Sequence, residues 1–319
     1  MRVAIFTDET GWHTRQLQAA LRARGAQGRC VDLADCHIDT TASAHGLVVS
    51  GFGRELPDAA LVRGIAGGSF EQVTKRLTLL HALRERGVAV YNDARAIERC
   101  VDKAMTSLRL QAAGVASPPT WASESLAQAQ RIVTRESARG HALVLKPLFG
   151  SQGKGLQRVG CVDGVHVPLP VLGPDFGGVA YLQRFIAPLQ QPGFDWRVLV
   201  IGGHAVAAMR RVSAHWVHNI AQGALPLPAV LTPALRDAAE RAALALEMDY
   251  AGVDLMPDAA GEVQVIEVNG VAAWQGLQRV TPVNIARALV DDLLDRRMAG
   301  ASRDNRDNRD SRARGGRLA

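Results

Sequence analysis

The chain has 319 residues, 47% of them hydrophobic, too many for one small core and enough for two or three compact units. No apolar run approaches the roughly 20 residues of a membrane span, and the four cysteines (Cys30, Cys36, Cys100, Cys161) form no CxxC pair, which argues against a zinc ribbon or a disulfide framework. The formal net charge is +6, but residues 302–319 alone hold six Arg against three Asp; the rest is only mildly basic, which suits polyphosphate or carboxylate ligands better than nucleic acid.

In chain order, "VAIFT" (3–7) reads as a short buried strand, followed at once by Asp8 and Glu9. That apolar run is too short for a signal peptide, so the expected location is cytoplasmic. Leu17, Ala20 and Leu21 place a helix over 12–24, closed by Gly25. Strands are expected at 29–33, 47–50, 60–63 and 88–91, with a helix over 70–86 closed by Gly87. This β-α-β alternation predicts a small parallel α/β domain ending near residue 93. Asp93 can cap a short helix, a second helix runs over 102–113, and a polar one over 124–139. From 142 the strands come as hairpin-like pairs: 142–147 with 156–160, 195–201 with 204–210, and 250–256 with 262–269. Helices at 232–247 and 281–298 interrupt them, giving an α+β texture. The expected domains are 1–93, then 94–298 as a central lobe (94–185) and a C-terminal lobe (186–298). The "RDN"-rich stretch 299–319 lacks apolar periodicity and reads as a disordered basic tail.

Three stretches could carry chemistry. In "LVLKPLFGSQGKG" (143–155) a strand delivers Lys146 into a loop whose glycines would let backbone N–H groups approach phosphate. The loop joins two strands and lacks the residues of either a P-loop or a dinucleotide fingerprint, so an ordinary glycine-rich hairpin is equally open at this point. In the pair 250–269, a loop of about four residues sets Asp254 opposite Glu267, and Asn269 shares the Glu267 face. Two facing carboxylates need a cation between them; Mg²⁺ fits an Asp/Glu/Asn oxygen set, and pairing with Arg or Lys is the alternative. In 181–211, Asp195 and Arg197 share one strand face and Arg210 and Arg211 end the next strand, a buried ion pair or an anion-binding group. No GxSxG or HExxH is present.

The ordered set Lys103, Lys146 with "GSQGKG", "QRFI", "DWRVLVIGG", "HNIAQGA", "GVDL" and "EVNG" resembles the ATP-grasp superfamily. Within it, the RimK-type alpha-L-glutamate ligases are most similar. "VRGIAGGSFEQ", "HNIAQGA" and "EVNGVAAWQGL" resemble the branch acting on tetrahydromethanopterin-type pterins. The resemblance covers about residues 1–298. It implies an α/β N-terminal domain plus an α+β ATP-grasp fold whose two lobes clamp ATP. It implies Lys103, Lys146, the flap residues Gly150, Ser151, Gln152, Gly153 and Gly155, the hinge Gln183, Arg184, Phe185 and Ile186, and Asp195 as nucleotide contacts. Asp254, Glu267 and Asn269 would hold Mg²⁺ (two ions, or Mn²⁺); Arg197, Arg211 and Asn219 would be catalytic; Arg63 would meet a substrate carboxylate. The implied reaction is ATP-dependent amide formation through an acyl phosphate, with L-glutamate and a carboxylate acceptor as substrates, no membrane partner, nucleic acid disfavoured and a homo-oligomer open. Alternatives are glutamylation of a protein C-terminus, another amino donor, or a nucleotide-binding regulator without catalysis. Three departures stand out: Arg184 where relatives carry Glu, Val217-His218 before Asn219, and "GVAAW" after Asn269. The last two bear on substrate identity.

Overall fold

The computed structural model describes residues 1–150 and 152–297, so Ser151 and the tail 299–319 lie outside the described residues. The chain divides into two compact units. Unit 1 comprises Met1–Arg95 with the returning segments Val271–Gln278 and Pro282 onward; unit 2 comprises Ala96–Gly270 with Arg279–Thr281.

Unit 1 is built on β1 (Arg2–Phe6), α1 (Trp12–Ala23), β2 (Gln27–Val31), β3 (His37–Ile38), β4 (Leu47–Val48), β5 (Ala59–Val62), α2 (Phe70–Glu85) and β6 (Ala89–Tyr91). Its main sheet has the order β2-β1-β5-β6, all parallel. Val3, Ile5, Leu61 and Val62 are fully buried in it, as expected for strands covered on both faces. Two strands differ from the sequence reading. The second ends two residues early because the Asp32 carboxylate caps a 3-10 turn, accepting from the Ala34 N–H at 2.8 Å. Residues 47–48 leave the parallel sheet and pair with β3.

Unit 2 opens with α3 (Ala94–Val101, its first residues still in unit 1) and α4 (Lys103–Ala112), whose Asp102 cap accepts from Ala104 and Met105. A first antiparallel sheet contains β7 (Thr120–Ser123), β8 (Ala142–Lys146), β9 (Gln157–Val162), β10 (Val165–Val167) and β11 (Ala180–Arg184), ordered β10-β9-β8-β11-β7. Helix α5 (Leu126–Ala138) lays Ala129, Ile132 and Val133 on Leu143, Leu145 and Leu182. The second sheet contains β12 (Gly193–Ile201), β13 (His204–Ser213), β14 (Leu225–Pro228), β15 (Tyr250–Pro257) and β16 (Val263–Asn269), ordered β14-β13-β12-β15-β16. Helix α6 (Pro233–Ala245) covers one face through Leu235, Ala239 and Ala242 against Val198, Val200, Val253, Leu255 and Val268. Alternation therefore sends Asp195, Arg197, Asp254 and Glu267 to the other face. After β16 come α7 (Gln275–Gln278) and α8 (Ile285–Asp292), the last replacing the longer helix expected over 281–298; a π turn, Leu293–Arg297, continues it. The sequence reading missed β7, β10, β11 and β14. In β14, two prolines mask a strand that survives only because it is an edge.

Two bulges decide which side chains share the ligand face. Near its turn the β12–β13 hairpin pairs Ile201 with His204 and Val200 with Ala205, a register that would bring Arg210 opposite Asp195. Val206 is an extra residue on β13 opposite the Leu199–Val200 step and shifts the pairing, so Arg211 faces Asp195 and Arg210 turns to the opposite face, over the Phe194 ring. Likewise β15–β16 begins as Pro257↔Val263 and Leu255↔Val265, and Ile266 is the extra residue that sets Asp254 opposite Glu267. The expected Asp254–Glu267 pair is present, but a bulge makes it, not a four-residue loop.

Candidate active site

On that face of the second sheet lies a continuous row of charge. Arg211 on β13 donates through Nε to Asp195 Oδ1 at 2.7 Å, and its Nη2 reaches both Asp195 Oδ2 and, at 2.9 Å, Asp254 Oδ2. Arg197 on β12 grips Asp254 in a bidentate pair, Nε to Oδ1 and Nη2 to Oδ2, the latter at 2.6 Å. Burial disfavours the Asp254 carboxylate, but the charges of Arg197 and Arg211 outweigh it and hold the group below the ordinary carboxylate range. At Asp195 burial prevails over Arg211 and pushes the carboxyl up to about 6. The Arg211 guanidinium is itself buried, yet its two carboxylates hold it more firmly protonated than usual. Among the described residues the Nη1 groups of Arg197 and Arg211 have no protein partner, so each guanidinium keeps an edge for a further anion.

From the other lobe, β8 delivers Lys146, which is 8% exposed and donates to Gln183 Oε1 on β11 at 2.6 Å. Burial lowers its pKa to about 8; Glu267 and Asp254 oppose the shift and Lys103 adds to it. Lys103, the first residue of α4, donates to Gly150 O at 2.8 Å and lies 3.6 Å from Glu267 Oε1. The glycine loop after Lys146 meets the second lobe: Gln222 Nε2 donates to Gln152 O at 3.2 Å, and a Cβ on Gly153, whose φ is +70°, would lie 2.7 Å from Val217 Cγ1. Gly155 is likewise left-handed, against Pro147.

The oxygen set fits a hard divalent cation. Glu267 is 32% exposed with Lys103 at long range as its ion partner. The Asn269 amide donates from Nδ2 to Gly252 O, which turns its carbonyl oxygen away. Asp254 uses three of about four carboxylate lone pairs on arginine, leaving one on Oδ1. Among the described residues no three His, Cys, Asp or Glu side chains converge as a metal cluster, so the amide oxygen and a bound ligand would have to complete the sphere.

Arg184 turns back to the buried Glu136 at 2.7 Å, where Arg135, Arg139 and His141 also converge. Its backbone N–H bonds Pro119 O, so the hinge backbone keeps its course whatever side chain stands there. Phe185 meets Trp216 edge-to-face, with Arg158 over both rings; Ile186 is half-buried. Asn219 caps a short turn through Oδ1 to the Ala221 N–H. Arg63 lies in unit 1, bonded to Val271 O. The "GVAAW" departure has a packing reason: Trp274 is 1% exposed, edge-on to Trp12 and His13. His218, noted in the sequence as a departure before Asn219, is 4% exposed, its Nε2 has no partner, and burial with the Arg211 charge lowers its pKa to about 4.

If Lys146 meets nucleotide phosphate, its environment predicts proton uptake on binding. Phosphate favours the charged amine and raises its pKa toward the ordinary 10.5. Between about 8 and 10.5 the free protein is partly neutral and the complex protonated, so affinity falls as pH climbs through that window. Calorimetry in buffers of different ionisation enthalpy reads this directly. Lys146→Arg, charged throughout, should abolish the uptake; buffer-independent heats for the wild-type protein would contradict the assignment.

Profiles of two families match the chain: the RimK PreATP-grasp domain over residues 1–97 and the RimK-like ATP-grasp domain over 100–293. The tetrahydromethanopterin:alpha-L-glutamate ligase of Methanosarcina acetivorans is 30% identical, over 90% of this chain and 96% of that protein. A probable alpha-L-glutamate ligase of Maridesulfovibrio salexigens is 28% identical, over 88% and 90% respectively. Among solved structures, a RimK domain ATP-grasp protein of Sphaerobacter thermophilus aligns with TM-score 0.66 at 21% identity, covering 92% of this chain and all of that one. The ATP-grasp ligase PsnB complexed with minimal precursor, Mg and ADP aligns with TM-score 0.67 at 20% identity, over 93% and 98%. No helix among the described residues is long and apolar enough to cross a membrane.

Proposed function

The chain belongs to the RimK-like ATP-grasp family, whose members use ATP and Mg²⁺, and on that premise we propose that it joins L-glutamate to the carboxylate of a tetrahydromethanopterin-type pterin. The near full-length similarity to ligases of that specificity supports the acceptor. The observation that carries the chemistry is the meeting of Lys103 and Lys146 from one lobe with Glu267 and Asp254 from the other. Such a site holds polyphosphate on one side and its counter-cation on the other.

In the proposed reaction the acceptor carboxylate attacks the γ-phosphorus of ATP; the bond to ADP breaks and an acyl phosphate forms. The glutamate amine then attacks the acyl carbon, the C–N bond forms, phosphate leaves with a former carboxylate oxygen, and the amine sheds its protons. No covalent enzyme nucleophile is required. Lys103 and Lys146 bind phosphate oxygens, and the open edges of Arg197 and Arg211 take the oxygens that gain charge during transfer. The loop around Gly150–Gly155 bridges the lobes and shields the acyl phosphate from water. Glu267 and Asn269, with the remaining Asp254 lone pair, would hold Mg²⁺ or Mn²⁺, which would supply neutralising charge for phosphate oxygens.

The test is ADP release by the purified protein with Mg-ATP, L-glutamate and a panel of carboxylate acceptors, with product mass spectrometry. A gain of one glutamyl residue on a pterin is the expected product. Gain on a peptide C-terminus and none on pterins would replace the acceptor and leave the ligase chemistry.

A further inference from the structure

The first sheet of unit 2 carries a second charged group, on the face away from Lys146. Lys146 and Gln183 bond to each other on one face. Alternation along β11 sends Arg184 to the other, beside Leu182 and Leu143, which α5 covers. There the last turn of α5 and the end of β11 meet around Glu136, whose side chain is buried.

Four side chains converge on that carboxylate. Oε1 accepts from Arg135 Nε at 3.1 Å and from Arg139 Nη1 at 3.3 Å. Oε2 accepts from Arg184 Nη2 at 2.7 Å and from His141 Nδ1 at 3.1 Å. Burial works against the Glu136 carboxylate, but the bonds from Arg184, His141 and Arg135 outweigh it and hold the group below the ordinary carboxylate range. Its lone pairs are used, yet its charge does not balance its partners. Three guanidinium charges against one carboxylate leave a surplus of two. The C-terminus of α5 offsets roughly half a charge of it. Among the described residues no second carboxylate pairs with any of the three arginines.

The arginines also keep unused donors. Arg135 has both Nη groups, Arg139 its Nε and Nη2, and Arg184 its Nη1. The Arg135 guanidinium lies 5.5 Å from the centre of the Trp121 ring, which holds its plane in place. All three side chains are partly exposed, so a solute reaches them from solvent. Like charges gathered on one carboxylate repel, and an anion of nearly two charges matches what remains. A phosphate group carries about 1.5 to 2 negative charges at neutral pH and presents several oxygens to guanidinium edges; a carboxylate carries one charge and two oxygens.

We propose that Arg135, Arg139 and Arg184 form an anion site for a phosphate group, on the face of the first sheet opposite Lys146. The sheet itself separates this site from the catalytic platform.

The experiment titrates the full chain by calorimetry with inorganic phosphate and separately with glycerol phosphate. Mg²⁺ and a non-hydrolysable ATP analogue are present at saturation, so that the catalytic face is filled. One saturable site is expected. Tighter binding of the ester assigns it to a phosphorylated metabolite; equal or tighter binding of inorganic phosphate assigns it to phosphate itself. Arg139→Gln and Arg184→Gln should each weaken binding at least tenfold. Arg139 is the most exposed of the three, so its variant reads the site whatever Arg184→Gln does to folding. Arg131→Gln, two turns before Arg139 on α5 where the side chain bonds Gln128, should change affinity by less than twofold. No saturable binding of either probe, unaltered affinity in Arg139→Gln, or an equal loss in Arg131→Gln, the signature of a diffuse basic surface, overturns the proposal.

Discussion

Glu267→Ala should abolish ATP-dependent ligation, lowering kcat by at least about a thousandfold, the scale on which removing one group that stabilises developing charge is felt. The side chain is 32% exposed and its ion partner, Lys103, is 3.6 Å away, so stability should change by less than about 1 kcal/mol. Loss of function would thus separate from loss of fold. Glu267→Asp, which keeps the carboxylate but shortens its reach, should recover a part of the rate and shift the Mg²⁺ requirement upward. A soluble Glu267→Ala protein turning over at near the wild-type rate would remove the metal assignment and leave the alternative that Glu267 serves only to pair Lys103.

Arg211→Ala should produce the largest loss of stability, about 3–5 kcal/mol, because it strands the Asp195 charge in the interior and strips one of two arginines from Asp254. Denaturant unfolding reads the loss. The cause can be separated by a double-mutant cycle: Asp195→Asn in the Arg211→Met background removes the stranded carboxylate, and the pair should recover at least about 1 kcal/mol relative to the sum of the single changes. Additive losses would mean that Asp195 and Arg211 stabilise the lobe independently, contrary to their bidentate contact. Asp195, expected as a nucleotide contact, accepts from Arg211 with both oxygens and so fixes that guanidinium across the sheet.

The platform was legible in the sequence because its logic is local. Alternation along 263–269 puts Glu267 and Asn269 on one face, and spacing by two does the same for Asp195 and Arg197. What alternation cannot supply is register. The Leu199/Val200 bulge selects Arg211 over Arg210, and Ile266 selects Glu267 as the partner of Asp254; a one-residue slip would reverse every side chain. No propensity in "HAVAA" or "QVIEV" announces an extra residue. Long-range packing was equally silent. The Trp274 ring reads as an oddity of the substrate loop until the chain places it against Trp12 and His13, and Arg184 reads as a lost hinge acid until Glu136 is seen to receive it. The parallel strands of unit 1 were visible as apolar runs, whereas residues 47–48, equally apolar, pair with β3 outside that sheet.

The central claim is that the acceptor carboxylate is activated by phosphoryl transfer at the Lys146–Glu267 platform. Heavy-oxygen label in the acceptor carboxylate tests it most directly. If an acyl phosphate forms, one labelled oxygen per amide bond leaves in the released phosphate, in step with ADP, and label transfer disappears in Glu267→Ala. Product amide formed with unlabelled phosphate would contradict an acyl phosphate and require a different route of activation.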